Sequence, residues 1–200
     1  MSESVGSGVG RMLVGACGAA NSVNLHECLL ALRQVATRTA AILTRSACEL
    51  VSPRSIRAFS GSTVYTDEDH QGLAVPHMEL ALWADLLIVA PATANILGKV
   101  AHGIADDLLS SVLLAHAKPV LFVPSMNPVM WANPAVRRNV ETLEGDGHRF
   151  LFSDVARRSL VTATGEWTMC NLGPSPQELA RKVSTEIESL DHLKQNSGVV

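Results

Sequence analysis

The chain has 200 residues, of which 47% are hydrophobic and 18% charged. That is the size of one ordinary domain with its own core, which excludes a disordered chain and a small disulfide- or metal-stapled module. Sixteen basic against nineteen acidic residues, a net charge of -3 and an aromatic content of 4% argue against a nucleic-acid groove or an anionic-membrane binder.

The opening MSESVGSGVG is Gly/Ser-rich and reads as disordered through residue 10. It carries no basic segment followed by an apolar one, as a signal peptide would. Every apolar run is broken well short of the roughly 18 residues a membrane helix needs, so a cytoplasmic protein without a membrane partner is expected. Cys17, Cys28, Cys48 and Cys170 form no C-x-x-C pair and lack zinc spacing, so no metal is expected.

MLVGA (12–16) reads as a buried strand. A helix follows over 22–35, with Ser22 at its N-cap and apolar residues at a 3.6 period. TAAILT (39–44) is a second strand. Residues 46–59 are ambiguous, although Ser52-Pro53 marks a helix start. STVYTD (62–67) is a third strand, 67–72 a surface loop and 77–84 a short helix. DLLIVAP (85–91) is apolar on both faces, as a covered parallel strand is. Residues 92–117 are helical, with glycine interruptions at Gly98 and Gly103 that suit two helices in succession. PVLFVP (119–124) is a strand, 133–147 a helix and 148–152 a strand. Residues 161–173 suit a hairpin around Thr164-Gly165. Helix 175–190 starts with Ser175 and Glu178 at capping-box spacing, and 191–200 is a loose tail. The alternation predicts one α/β domain over 11–190, a doubly wound, mostly parallel sheet.

Ligands in such sheets bind beyond the carboxyl ends of the strands. Three strand ends are chemically unusual. GACGAANS (15–22) is small enough for close backbone approach, and Ser22 adds a hydroxyl; it serves as an anion cradle or simply as a tight turn. It does not match G-x-G-x-x-G. In PATANI (91–96), Thr93 and Asn95 either face a flat polar ring or cap a helix. In PSMNPVM (124–130), Asn127 offers donor and acceptor groups, and Met126, Met130 and Trp131 line a pocket or pack in the core. His77 opens a helix where its ring can reach a strand-end crevice, with an intrinsic pKa suited to proton transfer.

Together, GACGAANS, His77 in PHMELALWAD, PATANI, PSMNPVM and GKVAHGIADDL (98–108) resemble the homo-oligomeric flavin-containing cysteine decarboxylases. The likeness spans roughly residues 11–190. It implies a flavodoxin-like fold and a bound FMN or FAD, one per subunit, near the interface of a homotrimer that can assemble into dodecamers. It carries over His77, Asn127 and Met130 as catalytic, with Asn127 on the substrate carboxylate. It assigns the flavin to Gly15, Ala16, Gly18, Ser22, Thr44, Pro91, Ala92, Thr93, Asn95, Ser125 and Met126. The implied reaction is oxidative decarboxylation of the C-terminal cysteine of a ribosomally made precursor peptide to an aminoenethiol. Two departures matter. Ile96 stands where the family motif ends in threonine, and Cys170 is followed by Asn171 rather than the glycine of the phosphopantothenoylcysteine branch, which leaves 162–176 as a flap over a peptide. That small-molecule branch is the alternative activity; a flavin-binding subunit without catalysis is the alternative class.

Overall fold

A computed structural model describes residues 9–68, 75–155, 157–161, 166–170 and 173–196. The elements run β1 (Val9–Ala16), a 3-10 turn (Ala20–Asn24), α1 (Leu25–Leu32), β2 (Ala36–Leu43), α2 (Arg45–Cys48), α3 (Pro53–Ser60), β3 (Thr63–Thr66) and α4 (Pro76–Trp83). They continue with β4 (Leu86–Ala92), α5 (Ala94–Ala101), α6 (Leu108–Ala115), β5 (Val120–Pro124), α7 (Pro128–Ala132), α8 (Pro134–Gly145) and β6 (Arg149–Phe150). A hairpin of β7 (Arg157–Val161) and β8 (Glu166–Cys170) precedes α9 (Pro176–Asn196).

Six strands form one parallel sheet in the order β3-β2-β1-β4-β5-β6, and β7 and β8 pair antiparallel in a separate two-stranded sheet. The order reverses between β1 and β4, so a crevice opens where the connections leave on opposite faces. Side chains alternate along each strand. Met12, Val14, Leu43, Ile88, Leu121 and Val123 face α1, α3 and α9. Leu13, Ile42, Leu87, Val89, Val120 and Phe122 face α4, α5, α6 and α8. Both faces are covered, which is why the strands read as continuous apolar runs.

The doubly wound sheet is the one expected from sequence; several local features differ. The first helix is shorter than 22–35, because Ser22 is fully buried inside the preceding 3-10 turn, where its hydroxyl donates to the Cys17 carbonyl at 2.6 Å, and α1 begins only at Leu25. Residues 46–59 resolve into α2 and α3, the latter with Pro53 in its first turn. The 92–117 stretch splits into α5 and α6 around Gly103, whose φ of +65° suits glycine. Helix α7 is additional to the sequence expectation, β6 is reduced to two residues, and α9 continues beyond 190 to Asn196. The Thr164-Gly165 turn, the first eight residues and 69–72 of the 67–72 loop lie outside the described residues. Asp85 secures the end of the sheet away from the crevice: Arg11 donates to it from Nε at 3.2 Å, from a terminal guanidinium nitrogen at 3.1 Å and from its backbone amide at 2.9 Å.

Two histidines near that end are expected to make the fold sensitive to acid. His116 is buried; its Nδ1 donates to the Ala81 carbonyl at 3.1 Å, and its Nε2 has no partner among the described residues. His148 Nδ1 accepts from the Val120 amide at 3.1 Å. Each contact fixes a neutral tautomer, and a second proton would either lack an acceptor or remove one. Burial lowers both pKa values; Lys118 also disfavours a charged His116, and for His148 neighbouring His116 acts the same way against an opposing Asp146. A depressed folded-state pKa means that the unfolded chain binds more protons. Their contribution to stability is therefore full above pH 6.5, the ordinary histidine value, and is lost as pH falls through the lower folded-state values. Urea midpoints measured from pH 7.5 to pH 5 should fall, and less steeply in a His116→Asn/His148→Gln double variant; equal slopes would contradict this.

Candidate active site

The strand ends are stitched in a row by backbone bonds that extend the sheet ladder. The Thr44 amide donates to the Ala16 carbonyl at 3.0 Å, Cys17 to Pro91 at 3.1 Å and Ser125 to Ala92 at 2.9 Å. These bonds bring the loops after β2, β1, β4 and β5 side by side, although up to 108 positions separate them along the chain (Cys17 to Ser125). Above them lies an open crevice of about 1400 Å³. It is larger than the ~300–1,000 Å³ typical of small-ligand pockets, which leaves room for a cofactor and part of a substrate.

Gly18, Thr44, His77, Thr93, Asn95 and Met130 all line this crevice. His77 sits in the first turn of α4 beside Pro76 and is half-buried. Thr93 accepts from the Ile96 amide and caps α5, and Thr44 does the same for α2 from Ala47. Gly18 is required by the close approach of two loops: a Cβ there would lie 2.4 Å from the Ser46 Cβ and 3.1 Å from its backbone carbonyl. The resulting wall holds the Thr44 and Ser46 hydroxyls and the exposed Arg45, a donor set suited to a phosphate.

The remaining sequence-derived candidates lie beneath or beside the crevice. Gly15 is buried one residue before the end of β1, where an added Cβ would meet Leu109 Cδ1 at 2.5 Å. Ala16, Pro91 and Ala92 are buried and contribute the carbonyls of the stitching bonds. The Ser22 hydroxyl is committed to Cys17. Ser125 is buried and Met126 half-buried at the end of β5. Asn127 is exposed, and its Oδ1 accepts from the Met130 amide at 2.8 Å, which caps α7. This leaves its two Nδ2 hydrogens as free-facing donors for an anionic group.

Sequence reasoning missed Cys17, Arg45, Ser46 and Asp67 in the lining. The Thr-x-x-Ala start of α2 was the available signal for the second and third. Burial holds the Cys17 thiol protonated, pushed up to about 12 despite hydrogen bonding with Thr93. Lys99 lies 2.6 Å from Asp106 and 2.7 Å from Asp107. Burial opposes its charge, but the two carboxylates outweigh it and raise its pKa. Asp107 is held ionised against its own burial by Lys99 and by the Ser110 amide and hydroxyl of its capping box.

Among known proteins, the chain is 47% identical over 122 residues to the coenzyme A biosynthesis bifunctional protein CoaBC of Bacillus subtilis (strain 168), a match covering 60% of this chain and 30% of that protein. It is 36% identical over 155 residues to the mersacidin decarboxylase of Bacillus sp. (strain HIL-Y85/54728), covering 78% of this chain and 79% of that one. The fold superposes on the FMN-dependent cysteine decarboxylase SpaF with a TM-score of 0.70 at 36% identity, covering 88% of this chain and 94% of SpaF. The chain thus spans under a third of the bifunctional relative but most of the other two. No described helix is long and apolar enough to cross a membrane. The Flavoprotein family profile matches residues 2–183, and with these relatives it shows that the chain belongs to the flavoprotein family.

Proposed function

We propose that the protein is a flavin-dependent peptidyl-cysteine decarboxylase that acts in the cytoplasm on the C-terminal cysteine of a ribosomally made peptide, with residues 11–190 as the catalytic unit. The observation that carries this reading is the convergence of His77, Thr93, Asn95 and Met130 on one crevice at the reversal of strand order. Among relatives it is supported by the likeness to a mersacidin decarboxylase and to SpaF, which covers more than three quarters of each chain.

The crevice fits a flavin: glycine lets two loops close on one another at Gly18, and hydroxyl and guanidinium donors stand beside them. When bound, FMN or FAD supplies the two-electron acceptor that cysteine decarboxylation requires. Thr93 and Asn95 would border the ring, and Thr44 and Ser46 would hold the phosphate. His77 carries the proton exchanged with the substrate. Asn127 binds the substrate carboxylate through Nδ2, and a neutral amide does so without pairing off the negative charge that stays on the substrate when neutral carbon dioxide leaves. One flavin per subunit would lie near the interface of a trimer, and trimers would assemble further. Val129 on α7, 81% exposed and next to Met130 of the crevice, offers apolar surface beside the site for a neighbouring subunit to cover.

Asn127→Asp tests the carboxylate role cleanly, because an aspartate still accepts from the Met130 amide and keeps α7 capped. It removes the Nδ2 donors and sets two carboxylates together, so kcat/KM should fall by about a hundredfold with flavin content unchanged. Unchanged turnover would remove Asn127 from the site.

The stronger local identity to the coenzyme A bifunctional protein favours a second reading, decarboxylation of phosphopantothenoylcysteine. Purified protein should be yellow and release FMN or FAD on denaturation. A cysteine-ended peptide should be consumed and phosphopantothenoylcysteine spared; the reverse preference supports the second reading, and a colourless protein that takes up neither flavin defeats both.

A further inference from the structure

The crevice that would take a phosphate-bearing flavin is lined by more acid than base. Among its described lining residues, Asp67, Glu68, Asp106 and Asp107 carry carboxylates, whereas Arg45 and Lys99 are the cations. Three of the carboxylates gather at the start of α6. Asp107 caps that helix and accepts from the Ser110 amide at 2.7 Å and from its hydroxyl at 2.8 Å. Asp67, just beyond β3, accepts from the Leu108 amide at 2.9 Å. Asp106 stands beside them with its side chain 60% exposed. Such a wall repels an anionic ligand unless a cation offsets it.

Lys99 supplies that cation from the last turn of α5. Its ammonium lies 2.6 Å from Asp106 and 2.7 Å from Asp107, and its carbonyl accepts from the Ile104 amide at 2.9 Å. Lys99 and Asp107 are only 16% and 18% exposed, so salt and water screen their attraction poorly. The cap of α6 is complete without Lys99, because Asp107 and Ser110 already exchange bonds in a capping box. What Lys99 adds is charge. Its field and that of Asp107 both reach the crevice floor: at Cys17, which directly precedes Gly18, Asp107 disfavours the thiolate and Lys99 favours it. One ammonium against two carboxylates leaves one net negative charge on this wall, where two would stand without it.

We propose that Lys99 is a positioning residue that adapts the crevice to an anionic cofactor: by pairing with both Asp106 and Asp107 it offsets their repulsion of the flavin phosphate, which Thr44, Arg45 and Ser46 face from another part of the lining. Lys99 acts through the two aspartates and not by touching the flavin. The proposal rests on a flavin in the crevice, which both readings above share, and on neither substrate.

The experiment is a fluorescence titration of the flavin-free full chain with FMN, at about 50 mM and about 500 mM salt. It compares wild type, Lys99→Arg, Lys99→Met, Asp106→Asn and the Lys99→Met/Asp106→Asn double variant. If charge is the cause, affinity follows the charge left on the wall. Lys99→Met leaves two negative charges and should weaken FMN binding about tenfold at low salt, equivalent to ~1.4 kcal/mol. At high salt the deficit should shrink below about threefold. The double variant and Lys99→Arg each restore a single negative charge and should bind nearly as wild type does. Asp106→Asn leaves none and should bind FMN about threefold more tightly at low salt. Wild-type affinity in Lys99→Met would overturn the proposal. So would a deficit equal at both salt concentrations, or a double variant as weak as Lys99→Met, since either result means a lost contact or a disturbed turn. Should Lys99→Met fail to fold, Asp106→Asn carries the test alone at its exposed position, and affinity no tighter than wild type overturns the proposal. If wild type binds FMN in this way but decarboxylates no peptide, the peptidyl-cysteine reading falls by itself. If wild type takes up no flavin, both fall.

Discussion

His77→Asn should leave the protein folded and yellow while turnover of a cysteine-ended peptide falls by about 10²–10⁴-fold, the usual contribution of a positioned proton carrier. The reason lies in the state of the other groups lining the crevice. Burial keeps Cys17 protonated, Lys99 is held charged by Asp106 and Asp107, and Asp107 is held ionised by Lys99 and Ser110. None of these exchanges a proton readily at neutral pH, whereas an imidazole ordinarily does. Asparagine is close in size, suits the first turn of α4 and carries no exchangeable ring proton. Flavin content measured by absorbance and rates measured by mass analysis of the peptide check this together. Wild-type turnover in the variant would take His77 out of the reaction; loss of the flavin would make it a cofactor-binding residue.

The second large effect belongs to a glycine. In Gly18→Ala the new methyl group would lie 2.4 Å from Ser46 Cβ and 3.1 Å from the Ser46 carbonyl carbon and oxygen. The first conflict involves a side-chain root and the others are with backbone, so no rotamer change relieves them. The start of α2 must move away from the end of β1. Thr44 and Ser46, the proposed phosphate donors, move with it. Flavin affinity should drop by more than about tenfold, because two or more charge-assisted hydrogen bonds are misplaced. The core is untouched, so thermal stability without flavin should change little. Fluorescence titration of the apoprotein with FMN measures the affinity. A Gly18→Ala/Ser46→Gly double variant should recover part of it, since the side-chain conflict is removed while the backbone contacts remain. An affinity equal to wild type in Gly18→Ala would show that this loop approach does not shape the cofactor site.

The sheet was legible because its strands are buried on both faces: MLVGA, DLLIVAP and VLFVP read as short apolar runs between turn signals, and no helix period competes with them. The order of those strands was not legible. It is set by which faces the crossover helices cover, and that order is what brings Thr44 to Gly18 and leads Arg45 and Ser46 into the crevice. Helix α7 escaped because five residues are too few to show a period; Asn127-Pro128 was its only signal, a cap followed by a proline in the first turn. Ser22 shows the limit of reading a residue type alone: a serine after a strand suits a phosphate or a turn equally, and the fold commits its hydroxyl to Cys17. Glu178 was legible as a helix cap, but its reach to Ser153 and Asp154 depends on how the chain returns after the hairpin.

The account turns on a redox crevice that accepts the end of a peptide. The most direct test is to incubate the flavin-loaded protein in air with a panel of peptides ending in cysteine and to weigh the products. The expected result is a peptide lighter by one carbon dioxide and two hydrogens, absent when the terminal cysteine is replaced by serine or amidated. A flavin-bearing protein that leaves every peptide at its starting mass would contradict the account.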